Sequence, residues 1–151
     1  MAASGVAVRI ESSPMIAECN TLDPASLRRL LHDCLASEAA QQAACLRLAA
    51  RTLGLPSERH ERLEAMLSCE AYESAALLVL GAQHRFLLSR GGMGGALASV
   101  ALSAAEQDVT VEADTPALAI LAALAAALLA EERSTSIPPR AEPAEASALL
   151  H

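Results

Sequence analysis

The apolar positions of this chain fall into helical spacing over its first half, turn to alternation in the middle, and end in an unbroken apolar run. Leu27, Leu30, Leu31, Cys34 and Leu35 recur at i, i+3, i+4, i+7 and i+8, which is one face of a helix. Asp23 followed by Pro24 is an N-cap and a first-position proline, so the helix starts there. Leu46, Ala49, Ala50 and Leu53 continue along one side. Gly54-Leu55-Pro56 then supplies the glycine, apolar residue and proline that end a helix. We read residues 24–53 as two helices with a break near Ala36-Ser37. Ser57 is the next N-cap candidate, with Glu58 in the dipole-favoured first turn, and Leu63, Met66, Leu67 and Ala71 carry the pattern on. That helix is expected to reach about Leu80 and to stop at Gly81. Periodicity leaves open whether residues 75–80 are its last turns or a buried strand.

The pattern then changes. Residues 84–90, 97–102 and 109–112 read as three strands, the first two joined by Gly91-Gly92-Met93-Gly94-Gly95, and short connections make them antiparallel neighbours. Asp114 or Thr115 caps a final helix with Pro116 near its first position. From Pro116 to Ala130 the sequence is apolar throughout, and Glu131-Glu132-Arg133 is its expected end. The side-chain sizes segregate around that helix. Leu118, Ile120, Leu121, Leu124, Leu128 and Leu129 share one half, while Ala119, Ala122, Ala123, Ala126, Ala127 and Ala130 fill most of the other. The thick half suits a sheet, and the thin half suits a close neighbour or solvent. Ala119, Ala123 and Ala126 are therefore the candidate contact face for a homodimer or a protein partner. At fifteen residues, half of them Ala, the run is too short for a membrane span, which takes about 20; no membrane association is expected.

The expected fold class is α+β. A weakly ordered arm (1–22), in which Val6-Ala7-Val8-Arg9-Ile10 is a short strand or a loose arm, precedes one domain (23–132). Within that domain a helical layer (23–56) leads into a helix–three strands–helix unit (57–132). The Ser-, Pro- and Glu-rich tail (133–151) is expected to be disordered. The length, 151 residues, suits a single modest core. Composition sharpens this: 53% of residues are hydrophobic, yet there is one Phe, one Tyr and no Trp. Such a core rests on Leu, Ile, Val and Met, with Ala allowing close backbone approach. All basic residues are Arg and none is Lys, a bias that GC-rich coding produces, pointing to a bacterial or phage source.

The net charge of −7, with Arg scattered among acids, disfavours a nucleic-acid partner. Cys19, Cys34, Cys45 and Cys69 form no C-x-x-C pair, and the first apolar stretch is broken by Arg9, unlike a secretory signal; reduced thiols and a cytoplasmic location are expected.

Candidate chemistry is sparse. Arg90 to Gly95 lacks the lysine of a phosphate loop and is followed by a strand, so it reads as a hairpin turn. His32, Asp33, Cys34 and Cys45 are metal-ligand types without zinc spacing, and the other histidines are dispersed. A thiol–imidazole pair, Cys34 with His32 or Cys69 with His84, needs a geometry the spacing does not supply. Glu70 and Glu73 read as a solvated helix face. No catalytic, cofactor or metal residues are assigned.

The order from Ser57 to Ala130 is shared by double-stranded RNA-binding domains, but Glu112-Ala113-Asp114-Thr115-Pro116 stands where their RNA contacts require a basic cluster. The segment more closely resembles the phage and prophage α-β-α sandwich, on a strand hairpin followed by Asp114-Thr115-Pro116-Ala117-Leu118-Ala119-Ile120. That resemblance covers about half the chain, implies a prophage origin, and transfers no catalytic residue. The leading expectation is a non-enzymatic protein that acts through protein contacts or self-association. The alternative is a small-ligand or metal-binding protein, or a thiol enzyme, using Cys34, His32 or Cys69.

Overall fold

A computed structural model describes residues 22–102 and 107–136. Helices α1 (Pro24–Ala36), α2 (Gln42–Thr52), α3 (Ser57–Ser68) and α4 (Tyr72–Leu80) precede strands β1 (Arg85–Arg90), β2 (Ala96–Ala101) and β3 (Val109–Ala113), and α5 (Pro116–Ser136) follows. The fold is α+β. The sheet is antiparallel in the order β1-β2-β3, with Phe86 opposite Val100, Leu88 opposite Ala98, and Val100 opposite Val109.

The helix ends follow local chemistry. Asp23 caps α1, its carboxylate accepting from the Ala25 and Ser26 amides at 3.2 and 3.0 Å. A single 3-10 turn (Ala39–Gln41) separates α1 from α2 at the expected break. Gly54 ends α2 at a φ of 63°, with Gly54 N–H donating to Arg51 O and Leu55 N–H to Ala50 O, the paired bonds of a Schellman motif.

The expected single helix from Ser57 to Leu80 is in fact two. The same pair of bonds recurs where no glycine signals it: Glu70 N–H donates to Leu67 O and Ala71 N–H to Met66 O, with Glu70 itself at a φ of 56°. Residues 75–80 are helix, as the last part of α4.

The last helix is longer than its apolar run. It continues through Glu131, Glu132 and Arg133 to Ser136, where the Ser134 hydroxyl donates to Ala130 O and that of Thr135 to Glu131 O. Glu and Arg are good helix formers, so the charged triplet does not stop it. Residues 133–136 of the expected disordered tail are thus helical; the rest of that tail, the arm up to Thr21, and Cys19 lie outside the described residues.

Helix α5 forms the centre of the molecule. It packs on β2 and β3 and also against α1, α2 and α4. Every residue from Ala117 to Ala125 is buried, as expected of a helix that is apolar all round. The largest fully buried side chains are Leu27, Leu30, Leu46, Leu63, Leu118, Ile120, Leu121, Val100 and Cys34, with no buried charged residue among those described. At the α5 N-terminus Thr115 Oγ1 accepts from the Leu118 amide at 3.3 Å. Asp114 is used differently: its carboxylate accepts from Ala39 N–H at 2.8 Å, pinning the turn between α1 and α2 to the start of α5.

Candidate interaction surface

The alanine face of α5 is not a surface. Ala119 and Ala123 have no solvent exposure and Ala126 is half-buried. The candidate contact face drawn from those three residues is corrected on this ground. Small side chains do allow a close neighbour, but the neighbours are elements of the same chain.

Of the six large apolar side chains exposed among the described residues, three lie together on β1, while Leu35, Leu77 and Met93 are elsewhere. All six residues of β1 are exposed. Phe86, the only Phe of the chain, is 46% exposed, with Leu87 at 68% and Leu88 at 39%. The register explains the exposure. Phe86 and Leu88 sit opposite Val100 and Ala98, which are completely buried, so they share the inward face of the sheet. Helix α5 covers that face over β2 and β3 and only touches β1. The inner side chains of β1 therefore overhang the core, while Leu87 points out from the other face, opposite Ser99.

β1 is also an edge strand, paired among the described residues with β2 alone. An edge presents a row of unpaired amides and carbonyls, and an apolar edge is a template for another strand. The tight hairpin holds β1 in place: Gly91 N–H donates to Gly95 O at 2.8 Å, and a Cβ at Gly95 would lie 2.6 Å from Ala113 O, so β2 can approach β3 there only as glycine. Beside the strand, Arg85, Phe86, Leu87, Ser99, Ala101 and Asp108 enclose a shallow depression of about 160 Å³ on the outer face. The Ser99 and Thr110 hydroxyls are hydrogen-bonded to each other across that face.

The residues weighed for thiol or metal chemistry are not brought together. His32 is exposed and contacts Asp33 Oδ1 at 3.5 Å, whereas Cys34 points into the core. Burial pushes the Cys34 thiol well above the ordinary thiol range, with Cys45 adding to the effect; such a thiol is protonated at neutral pH and a poor nucleophile. Cys45 lies 3.3 Å from Ser37 Oγ. Cys69 is exposed and lines a depression with Arg62, Ala65, Met66 and Ala71, while His84 lines another with Leu22, Arg59 and Leu124. No group of three or more metal-ligating side chains gathers among the described residues. Glu70, expected on a solvated face, is exposed but owes its place to the turn between α3 and α4.

Sequence reasoning took Phe86, Leu87 and Leu88 as strand and missed them as surface. The available signal was the pair of arginines bounding a short strand, since charges at the ends of a strand are a common mark of an edge.

No helix among the described residues is long and apolar enough to cross a membrane. No family model matches the chain, and no curated protein or solved structure shows significant similarity to it.

Proposed function

We propose that this protein acts without catalysis, through protein contacts, and that its contact is the exposed edge of β1 with a second copy of the same chain as the partner. The observation that carries the reading is the placement of the only Phe, with two leucines beside it, on a strand edge that has no partner among the described residues and that α5 leaves uncovered. Antiparallel pairing of two β1 strands about a two-fold axis at Leu87 sets Phe86 of each copy opposite Leu88 of the other. Arg85 then falls opposite Ser89, so no two arginines face each other. The two sheets join into one of six strands, and the overhanging apolar side chains cover one another. The prophage origin implied by the resemblance of residues 57–130 belongs to this proposal, since it suits a small interaction protein.

The test is sedimentation of the full chain over a wide concentration range, beside the double variant Phe86→Ser/Leu88→Ser. Dimer that grows with concentration in the wild type and is absent from the variant supports the reading. Wild type and variant that sediment alike at every concentration overturn it.

A further inference from the structure

We propose that the depression between the end of α2, the last turn of α4 and α5 binds a small aliphatic monocarboxylate, with Arg59 and His84 taking the carboxylate. The size of the space, its apolar wall and two polar side chains with hydrogen-bonding capacity to spare carry the inference, and none of the thiols takes part.

The wall is apolar. Leu53 and Leu55, on either side of the glycine that ends α2, line the depression together with Leu124 and Leu128, one turn apart on α5. Its volume is about 230 Å³. At about 30 Å³ per heavy atom, the share a water molecule takes in the liquid, that is room for about seven or eight heavy atoms. A nucleotide is too large for it, whereas a carboxylate on a chain of a few carbons fits.

His84, the residue just before β1, lines the same depression. Its Nδ1 is buried and has no hydrogen-bond partner among the described residues. A buried ring nitrogen requires one, and in the tautomer that carries hydrogen at Nδ1 it donates to a carboxylate oxygen. His60 shows the satisfied case, with its Nδ1 3.0 Å from Leu55 O.

Arg59 supplies the charge. One Nη donates to Leu78 O at 2.9 Å, a carbonyl in the last turn of α4, where helical carbonyls lack an amide partner. That bond holds the guanidinium beside the depression and leaves most of its five donors unused. No carboxylate pairs with Arg59 among the described residues, whereas Arg29 has Asp33 and Arg47 has Glu64. A guanidinium so placed takes a carboxylate through two hydrogen bonds at once. An alcohol of the same length offers it no charge, and an amine is repelled.

The experiment is an NMR titration of the full chain that resolves the methyl groups, with sodium pentanoate as ligand and pentan-1-ol and pentylamine as comparisons of equal chain length. Pentanoate is expected to shift the methyls of Leu53, Leu55, Leu124 and Leu128 saturably, with a Kd on the order of 1 mM. Pentan-1-ol should bind about tenfold more weakly or worse, and pentylamine should not saturate. Arg59→Met keeps the apolar stem and removes the charge, and His84→Leu removes the ring nitrogen. Each is expected to weaken pentanoate binding by about tenfold. Arg62→Met, at an exposed position of the same helix, should bind as wild type does. Pentanoate that fails to saturate those methyls at about ten times the expected Kd, or that binds no better than pentan-1-ol, overturns the inference. So does a folded Arg59→Met protein that binds pentanoate as tightly as wild type. The comparison of the three ligands needs wild type alone, so it decides the matter even if Arg59→Met, which also loses the bond to Leu78 O, does not fold. Saturable pentanoate binding by a chain that never dimerises upholds the inference while removing the self-association reading, and dimer formation without pentanoate binding does the reverse.

Discussion

Two apolar segments of this chain meet opposite fates. Helix α5 is rich in the smallest apolar side chain and is buried on every side from Ala117 to Ala125, whereas β1 carries the only Phe and two adjacent leucines and is exposed along its whole length. Hydrophobicity alone would order them the other way, because burying a Phe or Leu gains more than burying an Ala. Topology decides instead. α5 is the last element and runs between the sheet and the helices that precede it, so alanine is useful as a side chain that lets neighbours approach. β1 is the outer strand of a sheet too wide for one covering helix. Apolar side chains left out by topology, on an edge with free hydrogen-bonding groups, are the strongest reason to look for the protein's contact there.

The sharpest way to break this comparison is to place the same charge in both segments. Ala123→Glu buries a carboxylate with no space and no partner, and is expected to cost more than about 4 kcal/mol, enough to unfold a domain of ordinary stability. Leu87→Glu replaces an outward side chain that is 68% exposed, and is expected to change stability by less than about 0.5 kcal/mol. Far-ultraviolet circular dichroism during urea titration separates the two. A folded Ala123→Glu protein would return the alanine face of α5 to the list of contact surfaces. A milder variant sharpens the point: Leu121→Ala, at a fully buried position, is expected to cost about 2–5 kcal/mol with the fold retained.

What the sequence made legible was local. The pattern of helices, break, strands and final helix follows from spacing and capping residues, and Gly54 marks the end of α2 because glycine is the residue that a left-handed φ favours. Glu70 adopts the same conformation at the end of α3 and carries no such mark, so α3 and α4 read as one helix. The size segregation around α5 was legible too, but its coverage was not. Which element lies against Ala119 and Ala123 depends on contacts with residues far away in the chain, and periodicity contains no information about those. Phe86 was legible as strand for the same reason, and its exposure was hidden because strand order, not strand propensity, makes an edge. The tie from Asp114 to Ala39 spans 75 residues; a sequence reading naturally assigns that carboxylate to the helix it precedes.

The hidden turn at Glu70 gives a prediction of the next size down. A non-glycine residue in the left-handed region costs roughly 1–2 kcal/mol, part of which returns as lost chain entropy when glycine replaces it. Glu70→Gly is thus expected to stabilise the protein by about 0.5–1 kcal/mol, a gain that urea titration resolves. The same change at the exposed Ser89 on β1 would give no gain, since a strand residue has no positive φ to relieve. A neutral or destabilising Glu70→Gly would mean that the α3–α4 turn is held by something other than the local backbone.

The smallest expected effect concerns acid, and it too divides the molecule. Glu64 on α3 accepts two hydrogen bonds from Arg47 on α2, at 2.8 and 2.9 Å, and that pairing holds its carboxyl below the ordinary carboxylate range. Asp23 is lowered likewise, first by the Ser26 hydroxyl and then by the capped amides of α1. A carboxyl whose folded value lies below its unfolded one stabilises the fold fully above the unfolded value, and the contribution disappears as pH falls through the folded value. Both groups are exposed, so the effect is modest and weakens with salt. Both also lie on the N-terminal helices, and β1 carries no acidic residue. Lowering the pH through the carboxylate range should therefore loosen α1, α2 and α3 before the strand edge responds. Glu64→Gln combined with Asp23→Asn should flatten the acid limb of the stability curve while leaving the proposed self-association through β1 unchanged. An acid limb that keeps its slope in that double variant would place the acid-sensitive groups elsewhere and remove this distinction between the helical half and the edge.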